Sequence, residues 1–574
     1  MKFSRPEGVK TPWEAFMDFI PMHMDYPECS MCEAVERVAK EYPTVIAYDF
    51  MGSHTSYTQA VAAIHECARA LRAAGVKEND RVTIAMPNSP QAVSMFYAVN
   101  MVGAVANMIH PLSAEGEIEF YLNDSRSVAA LTLDQFYGKF AAIRERTPAL
   151  KTLIIADVKD ALKPLLKLGF ALTEGRKIPK LPADGDYITW KRFLKNGRNF
   201  SGDPRVKRAA GDPAAILYSG GTTGVTKGIL LSNLNFNALG AQVFATQRDI
   251  HVGDTILSIM PMFHGFGLGV SVHTFLMHGG RCILVPRFTP KTYAGLLKKH
   301  HPNLIAGVPT LYEALLRLEG LEDLDLSCLK GMFSGGDTLP VELKRRIDAF
   351  LKAHNASIEV LEGYGTTECV TASCLTPAGH AREGSIGIPF PDTYYKIVKP
   401  GTQEEVPYGT EGEICLAGPT VMLEYVNHPE ETANALQTHP DGLTWVHTGD
   451  LGTMDEDGFV YFRQRIKRMI VASGYNVYPS QIENILDQHE YVHMSCVIGV
   501  KDPYRMQKVK AFVVLKGGIE PTEQVKEEIL AYCRKNIAKY AMPYDIEFRD
   551  NLPLTLVGKV AYRKLEEEEE RKTA

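Results

Sequence analysis

The chain has 574 residues, too many for one compact core, so two or more domains are expected. Its 45% apolar and 23% charged content is that of an ordinary globular protein, and a net charge of −6 speaks against a general nucleic-acid binder. The first residues, Met1-Lys2-Phe3-Ser4-Arg5-Pro6, lack the apolar run of a secretory leader, and the 10 cysteines are scattered as in a reducing, cytoplasmic compartment. Cys29 and Cys32 form a lone CxxC without the two further ligands that zinc needs, and free thiols are expected.

In chain order, helical patterns are expected near 13–20 and 31–41, then a strand at 45–50 and a long helix at 59–74 closed by Gly75. Strands follow at 82–86, 104–108 and 129–133, separated by helical segments. This alternation predicts an α/β domain with a mainly parallel sheet. Two charge-poor stretches, 92–112 and 255–280, carry polar and proline residues and read as buried elements rather than membrane spans. Residues 158–210 break the pattern. Lys159, Lys163, Lys167, Arg176, Lys177 and Lys180 are interleaved with Leu162, Leu165, Leu166, Leu168, Phe170 and Leu172, a basic amphipathic insertion. It either lies on an anionic membrane face or docks its apolar side on the protein.

An apolar run, Ala214-Ala215-Ile216-Leu217, leads into Tyr218-Ser219-Gly220-Gly221-Thr222-Thr223-Gly224-Val225-Thr226-Lys227-Gly228. Glycines admit close backbone approach to a ligand, the hydroxyls add donors, and Lys227 adds a positive charge. Such a loop can surround a polyphosphate with N–H groups. It is not a Walker A loop, because the lysine precedes a glycine and no Ser/Thr follows it. This loop resembles the phosphate loop of the adenylate-forming superfamily, which holds acyl-CoA synthetases, peptide-synthetase adenylation domains and beetle luciferases.

Further motifs follow in the order of that superfamily. Phe263-His264-Gly265 resembles the segment bordering its carboxylate tunnel, which makes His264 either a packing or a pocket-gating residue. Ser334-Gly335-Gly336 sits where the family brings backbone against adenine. In Glu362-Gly363-Tyr364-Gly365-Thr366-Thr367-Glu368, Tyr364 can stack on a base, Thr367 can reach an α-phosphate, and Glu368 offers Mg²⁺ a hard oxygen ligand. A strand-rich stretch, a small β-subdomain, ends at Thr448-Gly449-Asp450, where one carboxylate can accept two ribose hydroxyls. In Arg463-Gln464-Arg465-Ile466-Lys467-Arg468, the resemblance implies a ribose contact for Arg465 and a hinge at Lys467, although Gln464 and Arg468 depart from the family's usual Gly and Asp. Ser473-Gly474-Tyr475 is similar to long-chain fatty acyl-CoA ligases and would line the pantetheine tunnel. Lys559, after Gly558, would donate to both substrate carboxylate and α-phosphate. The acidic run 566–570 reads as solvated.

The resemblance implies a large N-terminal adenylation domain at 1–463, a hinge at 464–468 and a small mobile α+β domain at 469–574. It implies Mg²⁺ at Thr222 and Glu368, with ATP and coenzyme A as co-substrates and a fatty acid as acyl donor. The expected reaction makes acyl-AMP and pyrophosphate, then acyl-CoA and AMP. An aryl- or sterol-type acid, a carrier-protein acceptor, a luciferase-like oxygenase and a non-catalytic nucleotide-binding scaffold remain as alternatives at this point. Peripheral contact with the inner membrane face through 158–210 is a further expectation.

Overall fold

The two charge-poor runs become the centre of the molecule. Helix Pro90–Met101 starts on Ser89, whose Oγ accepts the Ala92 N–H, and every residue in it after Pro90 is buried. A helix apolar on all sides has no solvent face to offer, so it belongs between layers. The π-helical segment Phe266–His273 and helix Asn233–Ala245 lie beside it in the same core. Polar groups there are satisfied internally. His273 bonds Tyr97 through Nδ1 and Asn237 through Nε2, both at 3.0 Å. The computed structural model describes residues 1, 3, 5–219, 226–472, 475–502, 506–539, 541–555 and 559–573.

Two large sheets sandwich these helices. An eight-stranded sheet runs from Ile188–Thr189 through Ala129–Leu133, Arg81–Ala85 and Val105–Met108 to Pro213–Ser219, all parallel, and then turns back antiparallel at Lys227–Ser232. A nine-stranded sheet holds Ile46–Phe50, Arg281–Leu284, Thr255–Ser258, Leu304–Gly307, Gly331–Ser334 and Val360–Tyr364 in parallel register. A third sheet, antiparallel and five-stranded, spans 394–465. A fourth sheet, residues 470–548, packs helices Pro479–Asp487 and Glu523–Asn536 over a core of its own. The result is a large N-terminal domain of parallel-sheet α/β layers and a small β-subdomain, with a small α+β C-terminal domain.

Three local expectations are corrected. The helical pattern at 13–20 is only the 3₁₀ turn Pro12–Phe16, because Trp13 is wholly buried and Asp18 takes φ +48°. The acidic run 566–570 is not a solvated tail; it lies on helix Tyr562–Thr573, with Leu565 wholly buried. The cause is Lys510, a buried ammonium on strand Met506–Leu515 that needs carboxylates and takes Glu547 at 2.7 Å and Glu569 at 2.9 Å. The insertion divides. Helix Trp190–Gly197 docks Trp190 and Phe193 on helix Tyr57–Ala73, whereas Leu166, Leu168 and Leu172 of helix Pro164–Leu172 stay exposed. Among the described residues no helix is long and apolar enough to cross a membrane. All 10 cysteines are free.

Candidate active site

In an open parallel sheet, ligands collect beyond the carboxyl ends of the strands. Here those ends deliver Gly335-Gly336 from strand Gly331–Ser334 and Tyr364 from strand Val360–Tyr364. Gly335 N–H donates to Gly307 O at 3.1 Å, and Gly336 takes φ +81°, a conformation few other residues adopt. The third sheet supplies Asp450 and, directly across its antiparallel ladder, Arg465. The Tyr364 hydroxyl donates to Asp450 Oδ2 at 2.6 Å, and Arg465 Nε stands 3.3 Å from Oδ1. Asp450 is 1% exposed. Burial raises its carboxyl above the usual carboxylate range, while Arg465 and the Tyr364 hydrogen bond hold the rise down. Oδ1 is buried without a hydrogen-bond partner, which leaves it an acceptor for a ligand hydroxyl.

Glu368 lies on the 3₁₀ turn Thr367–Cys369, with Thr367 beside it. Its Oε1 accepts the Tyr425 hydroxyl at 2.6 Å, and its backbone carbonyl accepts Met422 N–H at 2.7 Å. Among the described residues Oε2 has no partner, so one hard oxygen is available to a cation. Lys227 Nζ lies 5.0 Å from the centre of the Tyr425 ring and 3.9 Å from Glu431. The turn ends at Val370, a β-branched residue at φ +66°. Such a conformation is costly and persists only where the surroundings fix it. They do: a Cβ on Gly265 would strike the Val370 carbonyl oxygen, so the Glu368 turn and the His264 segment are locked together.

Lys559 enters from the small domain. Its Nζ and Cε lie 4.0 and 3.6 Å from where a Gly336 Cβ would stand. Burial pushes the ammonium below the ordinary lysine range, Asp337 and Asp450 oppose that, and Arg465 adds to it. His264 is half-buried and is pushed down to about 4, by burial first and then by the Lys559 charge. It is therefore a neutral imidazole, and its Nδ1 accepts Phe266 N–H at 3.2 Å.

Residues 35–426 match the AMP-binding enzyme family, and residues 481–559 match the AMP-binding enzyme C-terminal domain. The chain belongs to the AMP-binding enzyme family. It is 35% identical to the long-chain-fatty-acid–CoA ligase of Bacillus subtilis over 97% of this chain and 98% of that protein. It is 30% identical to the feruloyl-CoA synthase of an Amycolatopsis species, over 91% and 96%. The ATP-bound crystal structure of MatB from Rhodopseudomonas palustris superposes with a TM-score of 0.80 at 26% identity, covering 94% of this chain and 98% of that one.

Within this AMP-binding enzyme, Gly335, Gly336, Tyr364, Thr367, Glu368, Asp450, Arg465, His264 and Lys559 converge on one cleft between the two domains. The rest of the sequence-derived set is placed less fully. Gly220, Gly221, Thr222, Thr223, Gly224, Ser473 and Gly474 lie outside the described residues. Ser219 ends strand Pro213–Ser219 opposite Lys227. Lys467 lies on the 3₁₀ turn Ile466–Arg468, and Tyr475 begins strand Tyr475–Val477. One site residue escaped sequence reasoning altogether: Tyr425. Its strand, Glu424–Tyr425, pairs with Lys227–Ser232, the strand that leaves the phosphate loop. Two residues give too short a run to show periodicity. The visible signal was Pro429-Glu430-Glu431-Thr432 just downstream, a helix start that fixes the tyrosine by a 2.9 Å bond from Tyr425 N–H to Thr432 Oγ1.

Proposed function

We propose that the protein activates a medium- or long-chain fatty acid as acyl-AMP with release of pyrophosphate, then transfers the acyl group to coenzyme A with release of AMP. The observation that carries this reading is the position of Lys559 Nζ over the Gly335-Gly336 turn, facing Asp450 and Arg465 across the cleft. Both reactants of the first step are anions. Catalysis must bring a carboxylate oxygen to the α-phosphorus and cancel the charge that gathers there. Lys559 is suited to hold the two together. Asp450 and Arg465 would fix the ribose, the Gly335-Gly336 backbone and Tyr364 the adenine, and Thr367 an α-phosphate oxygen. The neutral His264 would border the acyl chain without placing a charge beside it. Glu368 Oε2 and Thr222 would hold Mg²⁺, which would supply positive charge for the departing pyrophosphate beside the 219–228 loop and Lys227. In the second step the thiol of coenzyme A attacks the acyl carbon and AMP leaves. Lys559 is not needed there, so a domain at 469–574 turning about 464–468 would withdraw it and present Ser473-Gly474-Tyr475 to the pantetheine arm.

The test is carboxylate-dependent exchange of labelled pyrophosphate into ATP across saturated acids and across cinnamic-type acids, followed by thioester formation with coenzyme A. Exchange rising with alkyl chain length is expected. Exchange confined to aryl acids overturns the fatty-acid assignment in favour of the second reading, which the feruloyl-CoA synthase likeness supports. Exchange without a coenzyme A thioester points instead to a carrier-protein acceptor.

Peripheral membrane contact is part of the same reading. Leu168 and Leu172, 60% and 53% exposed, stand on a helix that carries Lys167 and is flanked by Lys163, Arg176 and Lys177. An apolar ridge among cations suits an anionic lipid surface. Sedimentation with phosphatidylglycerol vesicles should fall at least several-fold in L168E/L172E, and unchanged sedimentation removes the proposal.

A further inference from the structure

Between the Asp450 strand and its antiparallel neighbour, three side chains with different donor atoms meet. Glu413 and Cys415 are two residues apart on strand Gly412–Ala417, and Cys415 stands directly across the ladder from His447 on strand Thr444–Met454. His447 Nδ1 is 3.0 Å from Glu413 Oε2 and 3.6 Å from Cys415 Sγ, and the three ligand atoms lie within 4.8 Å of one another. A tetrahedral zinc-class centre has N–O and N–S edges of about 3.4–3.6 Å, given its bond lengths. All three side chains are largely buried, which removes competing water.

The surroundings fit a second layer as well. His447 Nε2 faces His439 Nε2 at 3.0 Å, and His439 Nδ1 is buried with no hydrogen-bond partner. A ligating histidine ordinarily donates its other ring N–H to a fixed acceptor. Glu413 Oε1 meanwhile accepts the N–H of Gly449, the residue before Asp450, at 2.9 Å.

We propose that Glu413, Cys415 and His447 form a binding site for one thiophilic divalent cation of the zinc class, with His447 on the strand that carries Asp450 and Glu413 bonded to the N–H of Gly449 beside it. Protons balance as follows. Without a cation, His447 holds its proton on Nδ1 toward Glu413 and accepts from His439 Nε2–H. With a cation on Nδ1, the His447 proton sits on Nε2 and is donated to His439 Nε2, whose own proton moves to Nδ1. Both rings stay neutral, and only the thiol proton of Cys415 leaves. A carboxylate and a thiolate then match the dication's charge, and three protein ligands leave a fourth position for water. This differs from Mg²⁺ at Glu368, which takes oxygen donors alone.

Cobalt(II) is the probe, because a thiolate ligand gives it a near-ultraviolet charge-transfer band. The full chain is titrated under reducing conditions with excess Mg²⁺ to fill oxygen sites. One equivalent with the thiolate band is expected for the wild type and for C29V/C32V, with about one proton released per cobalt bound. C415V should lose the band while retaining Mg²⁺-supported pyrophosphate exchange in the absence of cobalt, and H447Q should weaken binding at least tenfold. Absence of the band in the wild type, its survival in C415V, or its loss in C29V/C32V with retention in C415V overturns the site. If C415V fails to fold, H447Q decides by the same band, and undiminished affinity there overturns the site.

Discussion

The cleft has two unlike sides. On the wall built by the large domain, each functional group is fixed by a neighbour: Asp450 by Tyr364 at 2.6 Å and by Arg465, Glu368 by Tyr425 at 2.6 Å. On the side supplied by the small domain, Lys559 is held only through its backbone, by its N–H to Thr555 Oγ1 at 3.0 Å and its carbonyl to Thr555 N–H at 2.7 Å. Among the described residues its Nζ forms no hydrogen bond or ion pair. A preorganised wall lowers the cost of binding nucleotide and metal. A lysine without side-chain anchors costs little to withdraw. The contrast matches a two-step reaction in which the nucleotide site persists and the lysine serves one step.

The sharpest way to break this contrast is Lys559→Ala. Loss of one charge-stabilising donor should slow pyrophosphate exchange by about 10²–10³-fold. Thioester formation from supplied acyl-AMP should stay within about threefold, because the proposed role of Lys559 is confined to the first step. Equal losses in both half-reactions would mean that the lysine belongs to the wall.

Tyr425→Phe probes the other side. It removes the donor on Glu368 Oε1 and leaves the ring under Lys227. Partners of metal ligands are typically worth about 10–100-fold in metal affinity, so with Glu368 in its proposed role as Mg²⁺ ligand the Mg²⁺ concentration for half-maximal exchange should rise by about tenfold or more. The ATP KM at saturating Mg²⁺ should change little. An unchanged Mg²⁺ requirement would count against Glu368 as the Mg²⁺ ligand or against its need for this anchor.

This difference between the sides also governs what could be read from the sequence. The wall's motifs are strand-to-turn junctions, where glycine, aromatic and carboxylate residues follow an apolar run, so Gly335, Tyr364, Glu368 and Asp450 stood out together. The long helix ended where its glycine predicted, with Gly75 at φ +83° after helix Tyr57–Ala73, but it starts two residues earlier than expected, on a capping box between Ser56 and Gln59. What stayed hidden is tertiary. Tyr425 sits on a two-residue strand, and its role depends on an oxygen 57 residues away in sequence. The ordered acidic helix depends on Lys510, whose burial no local pattern announces. The insertion at 158–210 had two readings because its leucines and lysines alternate throughout. Only packing shows that Trp190 and Phe193 turn inward while Leu168 turns out.

Glu362→Gln has the smallest expected effect on activity and tests, through stability, whether the wall's rigidity has a charge cost. Glu362 begins the Tyr364 motif and is 8% exposed. Asp450, on the same wall, has Arg465 beside it. Glu362 has the Leu339 N–H on Oε1 at 3.1 Å and a more distant Lys344, and burial pushes it up to about 8. The folded protein therefore holds a proton on Glu362 that the unfolded chain releases above its ordinary value of 4.5. The stability this group contributes is complete below that value and is lost as pH rises through about 8. The loss is at most about 1.4 kcal/mol per pH unit. Glutamine keeps an acceptor for Leu339 and has no proton to lose. Thermal melts between pH 5 and 8 should thus show E362Q gaining on the wild type as pH rises, with the curves closest at pH 5. A constant offset across that range would mean that Glu362 is ionised in the fold, and that the wall carries a second buried charge in addition to Asp450.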